Sequence, residues 1–180
     1  LTMATRHPIA DVDPALVQVQ QDAGPDEGAV LLRIGSATSE LLVGCRGRVE
    51  GRLLQVGVQT LIDGCFNGTF PNASALEVAI ATVEDEVMKD WGLPPLADHL
   101  LYADEALLEV VLASGFRMVA GRVELDLQAV EGLFGRLAAV SYGSTARQQG
   151  LPHDADFAAR LLILREILHH MRFIGVALSC

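Results

Sequence analysis

Gly35-Ser36-Ala37-Thr38-Ser39-Glu40 is the stretch whose residue types could do chemistry. Small and hydroxyl residues in a tight turn let backbone amides and side-chain donors approach a phosphate without a bulky side chain in the way. Gly35, Ser36, Thr38 and Ser39 are the candidate phosphate contacts, and Arg33 just before them could pair with an anion. The competing reading of Arg33 is a solvated or salt-bridged strand residue, and it is the one favoured. Thr38 and Ser39 could equally bond their own backbone as hairpin-turn residues. Glu40 could hold a water or an ion, or be a strand-edge carboxylate; if the chain is catalytic, Glu40 is the candidate.

Other clusters read as structural. Asp104-Glu105 suits a helix start, where its charges favour the dipole and repel phosphate. Glu84-Asp85-Glu86 reads as a solvated helix face, with Asp85 and Lys89 an i,i+4 pair. Adjacent His169 and His170 point to different faces of a helix, one exposed and one partly buried, and do not share a metal easily. His153, Asp154 and Asp156 read as loop and cap residues. Cys45, Cys65 and Cys180 have no CxxC spacing, so no metal centre is expected and the thiols read as reduced. There is no Gly-X-Ser-X-Gly elbow, no P-loop and no dinucleotide fingerprint.

The elements that must position the turn follow from periodicity. Residues 1–27 read as a lead-in, with a short helix over Asp13–Gln21 started by Asp13 and Pro14 and a loop at 24–28. Residues 28–57 read as strand, turn, strand, turn, strand, with Val30, Leu32 and Ile34 on one face. Val58–Phe66 is a short helix, broken at 67–72. Ala73–Trp91 is a long one, with Leu76, Ile80, Val83, Val87 and Trp91 inward and Gly92 at its end. Leu100–Tyr102 is a strand, and Asp104–Ala113 a helix closed by Gly115. One or two strands lie in Phe116–Leu125. Asp126 caps a helix through Val140, Ser141–Asp154 is an irregular loop, Ala155–Phe173 is a strong helix, and Gly175–Ser179 is a last strand. Residues 28–180 thus form one α/β domain, a mixed sheet with a three-stranded antiparallel meander flanked by helices, the order of a ribonuclease-H-like or actin-like lobe.

Composition bounds the partners. The chain has 180 residues, 51% apolar and 20% charged, enough for one full core, and its net charge is -10. That balance provides no electrostatic footprint for nucleic acid or an anionic membrane. No apolar run reaches the roughly 18 residues of a membrane span. An odd number of cysteines without a signal peptide points to the cytoplasm. Leu1-Thr2-Met3 is not a natural start, so the chain reads as an excised domain.

These residues resemble the second lobe of the exopolyphosphatase / guanosine pentaphosphate phosphohydrolase family, in the actin-like ATPase superfamily. Arg33-Ile34-Gly35-Ser36-Ala37-Thr38-Ser39-Glu40 is similar to the family's Asp-Ile-Gly-Gly-Gly-Ser-Thr-Glu. Leu53 to Leu61, including Gly57, resembles its following leucine-glycine segment. Ser141-Tyr142, Arg147, Gly150-Leu151-Pro152, Ala155-Asp156, the helix Leu162–Leu168 and Val176–Ser179 resemble its C-terminal third. The likeness runs in order from about residue 28 to 180.

The departures carry as much. The resemblance implies a magnesium-holding aspartate where Arg33 stands, and glycines where Ser36 and Ala37 stand. Its second phosphate loop falls at Tyr102-Ala103-Asp104-Glu105-Ala106, which has neither glycine nor threonine. Arg160 replaces a helix glycine and Asp154 an arginine. The first lobe is absent, and the catalytic glutamate's region reads Asp11 to Leu16, with Pro14 near its position. The expectation is a non-catalytic interaction or regulatory domain that binds a protein partner, or itself as a homodimer, through the exposed cleft wall, and needs no cofactor. The alternatives are a divergent magnesium-dependent phosphohydrolase using Glu40, Thr38 and Ser39 on polyphosphate or guanosine pentaphosphate, and a phosphate- or nucleotide-binding module without turnover.

Overall fold

Strand β2 (Ala29–Ile34) is apolar at five of six positions and lies between two other strands, as a central strand buried on both faces must. The computed structural model describes residues 6–8, 29–45, 48–89, 99–119 and 122–178. Chain order adds β1 (Arg6–Pro8), β3 (Ser39–Cys45), β4 (Arg48–Leu54), α1 (Val58–Gly64), α2 (Ala73–Val87) and β5 (Leu100–Ala103). A 3-10 turn (Glu105–Leu107) leads into α3 (Leu108–Ser114), followed by β6 (Arg117–Val119) and β7 (Arg122–Asp126). Then come α4 (Leu127–Ser141), α5 (Ala146–Gln149), α6 (Ala155–His170) and β8 (Gly175–Leu178).

Eight strands form one mixed sheet in the order β1-β4-β3-β2-β5-β8-β7-β6. The meander β2-β3-β4 is antiparallel, as expected, with Ile34 opposite Ser39 and Arg33 opposite Glu40. β2, β5 and β8 are mutually parallel, and β8-β7-β6 continue antiparallel. The parallel strands therefore end together at one edge, at Ile34, Ala103 and Leu178.

Val30, Leu32, Ile34, Leu41 and Val43 face the helices; Ala29, Leu31, Tyr102 and Ala177 form a smaller buried layer on the other face. Helix α6 is the centre of the larger core. Phe157, Ala158, Ala159, Leu161, Leu162, Ile163, Leu164, Ile167 and Leu168 are all fully buried, so it is apolar nearly all round rather than along a stripe.

Helix starts follow their sequence signals. Asp126 accepts from the Ala129 amide at 2.7 Å, Asn72 from Ala75 at 2.9 Å and Asp154 from Asp156 at 3.1 Å. Gly115, at φ 78, closes α3 in the left-handed region. Asp126→Ala should cost about 1 kcal/mol and lower the thermal midpoint by roughly 2–4 °C; an unchanged midpoint in a melting curve would show that the cap contributes nothing.

Two expectations need amending. Helix α2 stops at Val87, with Met88 at its cap, and Trp91 lies outside the described residues. The segment 141–154 is not wholly irregular: Thr145 and Gln148 form a capping box that starts the single turn α5. That T-x-x-Q pattern was visible in the sequence. Phe116–Leu125 holds two strands, β6 and β7, paired as a hairpin, within the one or two expected. The helix expected at 13–21 and the loop at 24–28 lie outside the described residues.

Candidate functional site

Four residues, 35–38, connect β2 to β3, and the start of α1 holds them from beneath. The Gly35 amide donates to Thr38 O at 3.0 Å and closes the loop. Val58 N donates to Gly35 O at 3.0 Å, Gln59 N to Ser36 O at 2.7 Å, and Thr60 Oγ1 to Ala37 O at 2.7 Å. Two of the amides that a helix start leaves unpaired are thus satisfied by loop carbonyls. With the carbonyls of Gly35, Ser36 and Ala37 turned toward α1, the amides of Ser36, Ala37 and Thr38 have no acceptor among the described residues.

Two glycines make this packing feasible. A Cβ on Gly35 would lie 2.7 Å from Thr38 O. A Cβ on Gly57 would lie 2.6 Å from each of Gly35 O, Ser36 O and Thr38 N. Gly57 has extended backbone (φ -143), so glycine is required there for space rather than for an unusual dihedral.

The predicted contacts divide between the rim and the interior. Gly35 and Ser36 are exposed and Thr38 is half-buried at the rim. Ser39 is 1% exposed, and its hydroxyl donates to Val56 O at 2.8 Å. Its hydroxyl proton is spent pinning β3 to the segment before α1, which takes Ser39 out of the exposed set. Arg33 and Glu40 are cross-strand partners on the face that carries Leu31 and Leu42, away from the helices. Glu40 Oε1 lies 3.8 Å from where a Cβ on Gly51 would be. Arg33 is itself engaged by a neighbour.

Arg160 is the residue that sequence reasoning treated only as a lost glycine. Its guanidinium reaches from α6 to Ile34 O at 3.4 Å, at the foot of the loop, and pairs with Asp156 one turn back. Asp104, at the end of parallel strand β5, accepts from the Ala106 amide at 3.1 Å as a cap. The crevice at the carboxyl ends of parallel strands is the usual place for a ligand in such sheets. At these strand ends stand the loop amides without an acceptor, the Arg160 guanidinium paired with Asp156, and the cap carboxylate of Asp104.

The donors do not fit magnesium at the loop. Arg33 occupies the position where the resemblance places a metal-holding carboxylate, and Glu40 projects from the sheet face across from it. Among the described residues no three of His, Cys, Asp or Glu come together as a metal's donor set. A cavity of about 370 Å³, lined by Phe70, Pro71, Asn72, Ser144, Thr145 and His153 among others, includes none of residues 33–40. His153 stacks on Phe70 there with ring centroids 4.7 Å apart. Cys65 is a free, half-buried thiol. No helix among the described residues is long and apolar enough to cross a membrane.

Away from the loop lies a charge cluster that no sequence pattern singled out. Glu166 is completely buried in α6; its Oε1 accepts from Arg165 Nη1 at 2.6 Å. Arg165 Nε also donates to Glu131 of α4 at 3.0 Å. His170 Nε2 stands 3.2 Å from Glu166 Oε2 and 3.8 Å from Glu84 of α2, while the more exposed His169 lies 3.6 Å from Glu131. The available signal was the Arg165-Glu166 pair inside the apolar run from Leu161 to Leu168.

Neither a scan against protein-family models nor a search of curated proteins finds a match to this sequence. Solved structures do match its fold. A Ppx/GppA family member from Aquifex aeolicus aligns with a TM-score of 0.66 at 14% identity, over 92% of this chain and 56% of its own. An exopolyphosphatase from Cytophaga hutchinsonii aligns at 0.62 with 16% identity, over 92% and 57%. An exopolyphosphatase-like protein aligns at 0.60 with 13% identity, over 85% and 52%. The chain spans little more than half the length of these structures, the extent of a single lobe, and its fold is the mixed α/β actin-like fold that they share.

Proposed function

We propose that this chain, with the fold of one lobe of the Ppx/GppA exopolyphosphatases, acts as a non-catalytic interaction or regulatory domain. The observation that carries the reading is the placement of Glu40. The carboxylate retained by the loop stands directly across the ladder from Arg33, on the sheet face away from the helices. Phosphoryl transfer needs charge neutralisation and a positioned nucleophile at the same point. The carboxylates at the crevice, Asp104 and Glu105, oppose a polyanion instead. A protein partner or a second copy would pack on the cleft wall of this lobe.

A second reading, a phosphate- or nucleotide-binding module without turnover, is favoured by one specific observation. The loop commits its carbonyls to α1 and leaves the amides of Ser36, Ala37 and Thr38 unpaired. Arg160 at the foot of the loop adds a cation.

Phosphate release from polyphosphate and from guanosine pentaphosphate with magnesium, beside Glu40→Gln, tests the first reading. We expect no release above background. Release that vanishes in Glu40→Gln would make the chain a divergent hydrolase. Calorimetry with inorganic phosphate tests the second: heat that is lost in Ala37→Pro, which removes one loop amide, would place an anion on the loop.

A further inference from the structure

The outer face of α3 is the least explained surface of the fold. Glu105, Leu108, Glu109 and Leu112 follow i, i+3, i+4, i+7 spacing through the 3-10 turn and α3, and all four are exposed. Leu108 is 45% and Leu112 58% exposed, while Val110 and Val111 on the other side are buried in the core. The chain after the helix extends the apolar surface with Phe116 at 37% and Met118 at 60%. Met118 pairs across the ladder with Val123, which packs on the helical side of the sheet, so Met118 and α3 share one face. Single exposed leucines need no explanation, but four large apolar side chains within eleven residues at a sheet edge mark a contact surface.

The charge beside this stripe limits what can cover it. Residues 104–116 contain Asp104, Glu105 and Glu109 and no lysine or arginine; the nearby cations are Arg117, next in sequence, and Arg136, committed to Ala113 O at 2.7 Å. A second copy would bring the same carboxylates, Glu105 and Glu109, against themselves, on a chain whose net charge is already -10. Strand addition at the edge is disfavoured by length, since β6 has only three residues and would offer few ladder bonds. A helix laid along α3 needs no such edge.

We infer that the outer face of α3, extended by Phe116 and Met118, is a docking surface for a basic amphipathic helix of a partner protein. The partner's apolar residues would cover Leu108, Leu112, Phe116 and Met118, and its lysines or arginines would meet Glu105 and Glu109. The inference supplies a partner chemistry to the interaction-domain reading and rests on it for its biological sense. The surface itself is tested independently of any phosphatase assay.

The probe is a synthetic peptide of about 15 residues with leucines at i, i+3, i+4, i+7 and lysines elsewhere. Its binding to the full chain is followed by fluorescence anisotropy, with amide chemical shifts to locate it. The expected result is saturable binding, with shifts concentrated in residues 105–118. Leu112→Glu should weaken it about tenfold or more, and Glu109→Lys should also weaken it. Leu112→Glu adds negative charge, so binding by charge alone would tighten instead, and that outcome would overturn the inference. So would absence of binding, or equal affinity for a peptide carrying glutamates in place of the lysines. A native dimer that Leu112→Glu converts to monomer in sedimentation would also overturn it, by making a second copy the occupant. Leu112 is exposed, so an unchanged melting curve for the variant separates lost docking from lost fold.

Discussion

Replacing Arg165 with methionine should lower the free energy of unfolding by about 3–5 kcal/mol, because it strands a buried carboxylate. Glu166 is fully buried, and Arg165 is its hydrogen-bonded partner at 2.6 Å. Its second oxygen, Oε2, has no hydrogen-bond partner, although His170 Nε2 stands 3.2 Å away. Burial alone pulls the Arg165 pKa down; the hydrogen bond and charge of Glu166, with those of Glu131, more than offset this and leave it raised. The guanidinium also lies over the Phe134 ring, 5.1 Å from its centroid, so α4 and α6 are joined through one side chain. The double variant Arg165→Met/Glu166→Leu removes both charges and should recover much of the loss, since an apolar pair fills the core without a desolvation penalty. Urea unfolding of the two variants forms the check. A loss below about 1 kcal/mol for Arg165→Met would mean that the carboxylate is not held by this arginine.

Gly57→Ala should be the most damaging single-methyl change near the loop, at roughly 2–3 kcal/mol or more. The added Cβ would sit 2.6 Å from three backbone atoms of residues 35, 36 and 38, none of which can rotate aside as a side chain would. Relief requires lifting the loop off α1, which breaks the bonds from Val58 and Gln59 to Gly35 and Ser36. Hydrogen exchange should therefore accelerate at the Val58 and Gln59 amides more than elsewhere. Unchanged exchange at these two positions, with native stability, would rule out the loop-on-helix packing described above.

Much of the fold was legible because its signals are local. Alternation in 29–34, the caps at Asp126 and Asp154, and Gly115 after α3 each depend on a few neighbouring residues, and each element is present, although α6 ends at His170 rather than Phe173 and α3 opens with a 3-10 turn. The one missed helix, α5, had its capping box in plain sight at Thr145 and Gln148. The site was legible only as a loop of suitable residue types. Thr38 and Ser39 look interchangeable in sequence, yet one stands at the rim and the other donates to Val56 inside. Pairing of Ser39 with Ile34 decides this, because side chains alternate across a strand and one step of register exchanges them.

The same division holds for the charged residues. Sequence alone determined that residues 28–57 make a meander, that glycine and small residues occupy its first turn, and that the metal-holding carboxylate of the resembling family is replaced by Arg33. Tertiary structure alone decided that Arg33 stands opposite Glu40 in the ladder, that Arg160 reaches Ile34 from 126 residues away, and that Glu166 is buried. Local periodicity selects the element and its inward face. Which distant side chain meets that face depends on sheet order and helix packing, and no short stretch of sequence encodes them.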